Sequence, residues 1–485
     1  MECKGGTEVQ AVAAPGNKKT SAVNRNKGSY GDDISSSIHC LLLNKDNLVG
    51  AGNSSCSNRL DDDTIVCEML SRLPVKSLTR FKCVCKHWLY LIEQDPYFID
   101  LHLSRSNTRT SLFYVISPST KDQRDAKFTH KGHDQFLLTA DLSFEGVGRV
   151  EVQTIRKTNM FRCNQILGSI NGLICFVDTN KYAVRIYNIS TREASPWIHS
   201  KLLLNEKEKH PTIDTQRIHG TSYRFGYDPA TKEYKVLCIW RITFRKAGLS
   251  LKGENDVVDD YDKISVCEIL TSGNSTWRKI DAVPPCNLGE GIPDVYANGS
   301  IYWCTKMWLG CPISIAAFDF GTEKFRMIEI PKLIRDQPLD PDPLYHHYVS
   351  LLELDGCLGI IRRISDYVCK LWIFNDDHHR QRDNEKVGGE IWSEETIPLP
   401  FPWDRTRWLY FSEVVGTYEL ILRDYQIVGG RISRIPLYSY HRKEKSFKEI
   451  KTDGSPFLDP DAYSFEKLTT YVENLVPVRQ QRRNN

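Results

Sequence analysis

The sequence predicts an α+β protein of several domains, in which a small all-α hairpin precedes a long all-β region. Between residues 61 and 103, apolar residues recur at helical spacing. From residue 105 to residue 477 the pattern changes to short apolar or alternating runs separated by Gly, Asn, Asp and Pro, which is typical of strands and turns. This second region also contains a repeated glycine signature, which indicates one structural unit used several times.

The helical region contains two apolar stripes. Ile65, Met69 and Leu73 recur at steps of four, with Val66 and Leu70 beside them, and predict a first helix. Pro74 ends that helix because proline disfavours the α conformation at the residue before it. The second stripe predicts another helix that begins near Val75 or Ser77 and carries Leu78, Phe81, Val84, Cys85, Trp88 and Ile92.

Asp61, Asp62 and Asp63 are expected to cap the N-terminus of the first helix, where carboxylates favour the helix dipole. A unit of about 43 residues cannot bury enough surface to be stable alone, so another surface must cover its apolar face. Two readings remain open. The hairpin either docks on a partner protein or packs on its own domain.

The stretch EMLSRLPVKSLTRFKCVCKHWLYLI resembles the plant-type F-box, although Asp61 and Asp62 stand where the family usually has Leu-Pro. The resemblance implies that the hairpin binds the Skp-type adaptor of a cullin-RING ubiquitin ligase. It also implies the adaptor-binding residues, which are Ile65, Val66, Met69, Leu70, Leu73, Pro74, Val75, Leu78, Phe81, Val84, Cys85 and Trp88.

The glycine signature of the second region is a turn that feeds a strand. It occurs as Asn171-Gly172, Asn298-Gly299 and Asp355-Gly356, and these dipeptides suit two-residue hairpin turns because both central positions need positive φ. Looser copies lie at Gly226 and Gly416, which gives steps of 54, 73, 57 and 60 residues. Repeated antiparallel units of this size predict a β-propeller of six blades, with seven as the alternative and a two-sheet sandwich as the second choice.

Segments such as SINGLICF, FGYDPATKEYKVL, VYANGSIYW and AAFDFGTEKFRMIEIP resemble plant F-box-associated domains, which are similar to β-propellers. We therefore predict a disordered tail over residues 1–59, an F-box over 60–104, an F-box-associated propeller over 105–477 and a disordered tail over 478–485. The charged, strand-poor inserts are either recognition loops or tolerated surface insertions. They span residues 199–222, 243–262 and 376–390.

Composition excludes several functional classes. A formal charge of +3 gives no basis for nucleic-acid binding, and no apolar run approaches the roughly 20 residues that cross a bilayer. Fifteen scattered cysteines and the lack of a secretory signal favour a reducing intracellular compartment, in the cytoplasm and/or the nucleus. Cys83, Cys85 and His87 cannot converge on one metal ion if they lie on a helix, so we predict no metal site and no cofactor.

The resemblance to plant F-box proteins implies a non-catalytic substrate receptor. The F-box would bind the adaptor, and through it the cullin and RING subunits, while the propeller would bind an unknown protein substrate. Two alternatives stay open: a small-ligand receptor or enzyme, and an adaptor-binding scaffold that leads to no degradation. A cluster of titratable groups with shifted pKa values at the central channel would favour the small-ligand reading.

Overall fold

The computed structural model describes most of the chain between residues 58 and 478. The described residues are 58–107, 111–118, 135–143, 149–158, 163, 165–202, 205, 221–245, 261–285, 294–305, 307–308, 311–312, 314–335, 349–374, 392–404, 406–414, 417–428, 431–434, 436–452 and 463–478. The predicted tails, except Asn58, Arg59 and Val478, and most of the three charged inserts lie outside them. The chain divides into two compact units, residues 1–65 and residues 66–485.

Four helices occupy the N-terminal part of the described chain, where the sequence predicted two. They are α1 (Asn58–Leu70), α2 (Val75–Phe81), α3 (Lys86–Gln94) and α4 (Pro96–Ser106), and a fifth helix, α5 (Lys332–Arg335), lies between two later strands. Helix α1 begins at Asn58, so Asp61, Asp62 and Asp63 lie within it rather than at its N-terminus. The predicted capping by these aspartates is therefore wrong.

The predicted second helix is broken between α2 and α3. Cys85 has extended backbone angles and occupies the position before the first turn of α3, where its Sγ accepts a hydrogen bond from the Trp88 N–H at 3.5 Å. An extended residue cannot continue a helix. Phe81 and Trp88 lie on either side of the break and still meet edge to face, with ring centroids 5.6 Å apart. The apolar stripe predicted from the sequence therefore stays together in the folded helices.

The described strands are antiparallel within their sheets, apart from one short parallel pairing. They are β1 (Ser111–Pro118), β2 (Gln135–Ser143), β3 (Arg149–Thr158), β4 (Gln165–Ile170), β5 (Leu173–Asp178), β6 (Ala183–Asn188), β7 (Ile198–His199), β8 (Thr221–Asp228), β9 (Glu233–Arg245), β10 (Tyr261–Thr271), β11 (Arg278–Ile280), β12 (Asp294–Ala297), β13 (Ser300–Cys304), β14 (Met307–Trp308), β15 (Cys311–Pro312), β16 (Ser314–Asp319), β17 (Lys324–Glu329), β18 (Val349–Leu354), β19 (Cys357–Ser365), β20 (Val368–Phe374), β21 (Trp392–Pro398), β22 (Arg407–Glu413), β23 (Glu419–Val428), β24 (Arg431–Arg434), β25 (Leu437–His441), β26 (Ser446–Thr452) and β27 (Tyr463–Tyr471).

Within the described residues these strands form five large sheets and a two-stranded pair, β14–β15. Four of the large sheets have four strands each: β4 to β7, β8 to β11, β12-β13-β16-β17, and β18 to β21. The fifth has nine strands in the order β22-β23-β25-β26-β3-β2-β1-β27, with β24 paired to β23. The propeller class is confirmed. The predicted six or seven blades are corrected to five.

The blade number differs because two groups of strands merge into one sheet. Lys451 and Thr452 of β26 pair in parallel with Arg149 and Val150 of β3, which joins the last strands of the propeller to the first. The inner strands nevertheless form a closed circuit of contacts, from β27 to β4, β8, the β12–β13 hairpin, β18 and β22, and back to β27. The core lies between successive sheets around this circuit.

The turns predicted from Asn-Gly and Asp-Gly are confirmed. Asn171-Gly172, Asn298-Gly299 and Asp355-Gly356 have φ values of 48° and 78°, 42° and 80°, and 50° and 78°, and they join β4 to β5, β12 to β13 and β18 to β19. Positive φ at both positions is what such hairpin turns require.

Gly226 is a correction, because it lies inside β8 rather than in a turn. It pairs with Lys235 of β9. A Cβ at this position would be 1.8 Å from the Phe320 ring. Close packing against the next sheet therefore explains this glycine, and a turn does not.

Candidate adaptor-binding helices and the propeller channel

A cluster of polar side chains links α4 to the end of α1. Arg105 donates to the Glu68 carboxylate at 2.5 Å, to the Glu68 carbonyl at 2.8 Å and to the Ser71 hydroxyl. The hydrogen bond from Arg105 lowers the pKa of Glu68. The buried His102 ring lies 3.0 Å from the Leu73 carbonyl. These contacts satisfy carbonyl groups that the end of a helix leaves without partners.

The predicted adaptor-binding residues fall into two groups by burial. Leu70, Val75, Leu78 and Trp88 are buried and hold the described helices together. The others keep exposed or half-buried side chains: Ile65, Val66, Met69, Leu73, Pro74, Phe81, Val84 and Cys85. Contact of any of the twelve with an adaptor stays a prediction.

Three exposed apolar side chains on α3 and α4 were not among the residues predicted to bind the adaptor. Leu89, Tyr90 and Tyr97 are exposed, Tyr97 to 70%. Large apolar side chains grouped at a surface are typical of protein interaction sites. Leu89 and Tyr90 fall outside the helical stripe that carries Trp88 and Ile92, so apolar spacing alone could not select them.

The C-terminal segment that follows β27 caps helix α2. Pro74 precedes α2 and its side chain makes no capping hydrogen bond. The Val75 N–H, which α2 itself cannot satisfy, donates to the Glu473 carboxylate at 3.1 Å. A carboxylate at a helix N-terminus also interacts favourably with the helix dipole. A second link is the ion pair between Asp100 of α4 and Lys232 in the β8–β9 turn.

Asn474, which is fully buried, fixes the same segment to the propeller. Its Nδ2 donates to the Asn171 carbonyl at 2.6 Å and to the Tyr234 hydroxyl at 3.1 Å. The side chain of Asn188 donates in turn to the carbonyls of Asn474 and Val476, at 3.0 and 2.9 Å. The helices from Val66 onward are thus attached to the propeller through the Glu473 cap and the Asp100–Lys232 ion pair, and buried asparagines fix the segment that carries the cap.

A cavity of about 700 Å³ lies where the inner strands meet, and we call it the central channel. Its lining includes Glu353 of β18 and Glu413 of β22. Both oxygens of Glu413 accept the Asp355 N–H at 2.9 Å, and Glu353 accepts the Gly356 N–H at 3.3 Å. Burial raises the pKa of both carboxyls, and in Glu413 the neighbouring Glu353 adds to the shift.

These two carboxyls are the kind of titratable cluster that the sequence analysis named as favouring a small-ligand site. Their hydrogen bonds also give them a structural role, because together they hold the turn between β18 and β19 against β22. Among the described residues no group of three or more His, Cys, Asp or Glu side chains could hold a metal ion. In the same part of the chain, no helix is long and apolar enough to cross a bilayer.

Helices α1 to α4 and the closed sheet system define a protein with a helical module joined to a β-propeller. Residues 59–100 match the F-box domain model, and residues 109–472 match the model of the F-box associated beta propeller domain. The chain belongs to the family of F-box proteins with an F-box-associated β-propeller. An F-box supports binding of an Skp-type adaptor in general.

Relatives with similar sequences are F-box proteins of Arabidopsis thaliana. One putative F-box protein is 26% identical over 340 residues, which cover 69% of this chain and 91% of the relative. Another is 25% identical over 427 residues, covering 85% and 90%. An F-box/LRR-repeat protein is 25% identical over 436 residues, covering 84% and 86%.

Solved structures with a similar arrangement are more distant. A chain of a nidogen/laminin complex matches with a TM-score of 0.35 and 8% identity, covering 75% of this chain and 99% of that chain. AztD from Citrobacter koseri matches with a TM-score of 0.32 and 11% identity, covering 76% and 100%. Likeness at this level assigns no function to the present chain.

Proposed function

We propose that this chain is the substrate-recognition subunit of a ubiquitin ligase of the Skp-cullin-F-box type. The F-box helices dock the Skp-type adaptor, and the propeller holds a protein substrate. The cullin and RING subunits bring the ubiquitin-charged enzyme, so this chain supplies proximity and selection and performs no chemistry. The assignment places the chain inside the cell, in the cytoplasm and/or the nucleus.

The observation that carries this proposal is the uncovered apolar surface of the F-box helices. Met69, Val84, Leu89, Tyr90 and Tyr97 are all exposed in the isolated chain. Exposing such side chains to water costs free energy, and a partner that covers them recovers it. The family match over residues 59–100 supports an Skp-type adaptor as that partner.

A second candidate function is a receptor for a small ligand, with the F-box as its link to other proteins. The central channel favours it, because a cavity of about 700 Å³ falls within the size range of ligand pockets. The raised pKa values of Glu353 and Glu413 are also of the kind found at binding sites. The hydrogen bonds of both carboxyls to the Asp355-Gly356 turn account for the pair without a ligand, so the substrate-receptor assignment is preferred.

The test is co-purification of the full chain with an Skp-type adaptor. Met69→Asp and Val84→Asp each place a charge on the F-box surface without changing a buried side chain. We expect each to lower adaptor affinity at least about tenfold, because a carboxylate would be desolvated in the interface. Val283→Asp is the matched control, since Val283 is an exposed apolar residue of the propeller region.

Adaptor recovery that stays at the wild-type level in both F-box variants would contradict the docking assignment. An equal loss in Val283→Asp would show that the added charge acts through general solubility. The adaptor-binding scaffold predicts the same pull-down result. Ubiquitination of a captured partner, and its accumulation when the chain is removed, separates the substrate receptor from the scaffold.

A further inference from the structure

One face of the β22–β23 pair carries a cluster of aromatic and polar side chains, which we call the channel face. The strand register places Trp408 opposite Tyr425 and Tyr410 opposite Arg423. Residues directly opposite each other in an antiparallel pair lie on the same face, and so do residues two apart along a strand. Ser412 therefore shares this face. All five residues line the central channel.

Two aromatic side chains of the channel face are exposed. Trp408 is 47% exposed and Tyr410 is 40% exposed. By contrast Trp240, Trp303 and Trp372, which belong to other sheets, are fully buried. Large rings that line a cavity while remaining exposed are suited to bind a flat or apolar group.

Local contacts hold the guanidinium group of the channel face in place. Arg423 Nη2 donates to the Ser412 hydroxyl at 2.8 Å, and Arg423 Cζ lies 5.7 Å from the centroid of the Tyr410 ring. Tyr425 meets Tyr410 edge to face at 5.4 Å. Each of these contacts restricts the rotamers of the side chains involved. The cation and the exposed rings are thus arranged before any ligand arrives, which lowers the entropy cost of binding.

Arg423 is the charged residue among the five of the channel face, so an anion is favoured there. Among the described lining residues, Arg423 is the cation and Asp294, Glu353 and Glu413 are the acids. Asp294 pairs with Arg224 at 2.7 Å. Glu413 of β22 pairs with Leu420 of β23, and neither residue belongs to the channel face. The Glu413 side chain therefore lies on the other face of the β22–β23 pair from Arg423. The Glu413 and Glu353 carboxylates accept hydrogen bonds from the turn amides described above.

Strand β27 borders the site. Thr469 and Thr470 of β27 also line the channel, and β27 contacts β22 where the two ends of the nine-stranded sheet meet. The Thr469 hydroxyl donates to the Thr470 carbonyl at 3.2 Å. A threonine hydroxyl can also accept a hydrogen bond, which suits the N–H of a peptide.

We propose that the channel face binds an acidic segment of the protein substrate, in which a carboxylate side chain stands next to an aromatic one. The carboxylate contacts Arg423, and the neighbouring ring packs on Trp408 and Tyr410. A guanidinium group matches a carboxylate in shape as well as in charge. This inference rests on the proposed substrate-receptor function and names the substrate class for it.

The test uses the full chain, expressed together with an Skp-type adaptor and labelled with fluorotryptophan. The fluorine resonance that disappears in Trp408→Phe belongs to Trp408. Three probes are titrated: N-acetylphenylalanine, which carries a carboxylate; its neutral amide; and phenethylamine, which is a cation. We expect a saturable shift of the Trp408 resonance, with the carboxylate binding about tenfold more tightly than the amide and the cation more weakly than either.

Arg423→Gln is expected to remove the preference for the carboxylate, and Arg423→Lys, which keeps the charge, to retain part of it. Arg326→Gln is the matched control. Arg326 Cζ lies 5.7 Å from the Tyr302 ring centroid, the same distance as at the channel face, but neither residue lines the channel. Unshifted resonances of the other tryptophans show that each variant is folded.

Absence of a saturable shift, equal affinity for carboxylate and amide, or tighter binding of the cation would overturn the proposal. The same sample reports on the proposed function, because adaptor co-elution is measured beside the titration. Adaptor binding without probe binding rejects the channel face alone. Probe binding without adaptor binding supports the channel face and rejects the docking assignment.

Discussion

The F-box helices and the propeller differ in how far their large apolar side chains are buried. Tyr90 and Tyr97 on the helices are exposed, whereas Trp240 and Trp303 in the propeller are fully buried between successive sheets. The propeller can bury its own surfaces because each sheet has a neighbour on both sides. The helical module is too small to do this, so part of its apolar surface stays exposed. The difference separates a region stabilised from within from a region that, under the proposed function, a partner covers.

Opening the propeller is expected to have the largest effect on the protein. Strand β27 pairs with β1 over Ser111 to Pro118, which closes the circuit of inner strands with the C-terminal end of the chain. We expect deletion of residues from 430 onward to give insoluble protein, because β1 and β23 each keep a partner on one side only and become open edges.

Deletion of residues 479–485 alone is the control, because it leaves β27 and the segment after it intact. Solubility and thermal unfolding of both products check the prediction. A soluble product of the longer deletion with undiminished thermal stability would mean that the sheets are independent sandwiches.

A smaller disturbance tests the packing between two sheets. Gly226→Ala places a Cβ 1.8 Å from the Phe320 ring, so the strand or the ring must move. We expect a loss of about 3 kcal/mol in the free energy of unfolding, which is typical of overpacking. Gly321→Ala is the control, because its nearest neighbour would be 3.3 Å away. Denaturant unfolding of both variants measures the difference. Equal stability would show that the Phe320 contact gives way easily.

The carboxyl pair of the central channel offers a pH test of the propeller. Burial raises the pKa of Glu353 to about 7 and of Glu413 to about 8, from an ordinary value of 4.5. The folded state then holds protons that the unfolded state releases. Its stability from this source is complete below about pH 4.5 and is lost as the pH rises through 7 and 8.

Glu413→Gln keeps an acceptor for the Asp355 N–H and removes the titration. We expect the stability of this variant relative to wild type to rise by about 4 kcal/mol between pH 5 and pH 9. Denaturant unfolding across that range measures it. Glu444→Gln, at an exposed carboxyl, is the control. A difference that stays flat with pH in Glu413→Gln would contradict the raised pKa.

The smallest expected change in stability concerns the contact that attaches the F-box helices to the propeller. Glu473→Ala removes the carboxylate that caps the Val75 N–H, and we expect a local loss of about 1 kcal/mol. Hydrogen exchange of the α2 amides in the full chain is expected to quicken by roughly fivefold while the propeller strands stay protected. Glu444→Ala serves as control. Unchanged exchange in α2 would mean that Glu473 contributes nothing to this helix.

Features that depend on neighbouring residues could be predicted from the amino-acid sequence. Asn-Gly and Asp-Gly predicted the hairpin turns because the requirement for positive φ is local. Period-two and period-four spacing separated the strand region from the helices because each spacing defines one buried face. The segment from Glu68 to Trp88 also identified the F-box, although apolar spacing alone did not reveal that Cys85 breaks its second helix.

Contacts between distant residues become visible in the folded protein alone. The pairing of β1 with β27, the merging of two strand groups at Lys451 and Arg149, and the capping of Val75 by Glu473 join residues hundreds of positions apart. Such contacts leave no periodic pattern in the chain, since each depends on how whole sheets pack. For the same reason the sequence could not show that Gly226 faces Phe320, or that Trp408 and Arg423 share one face of the central channel.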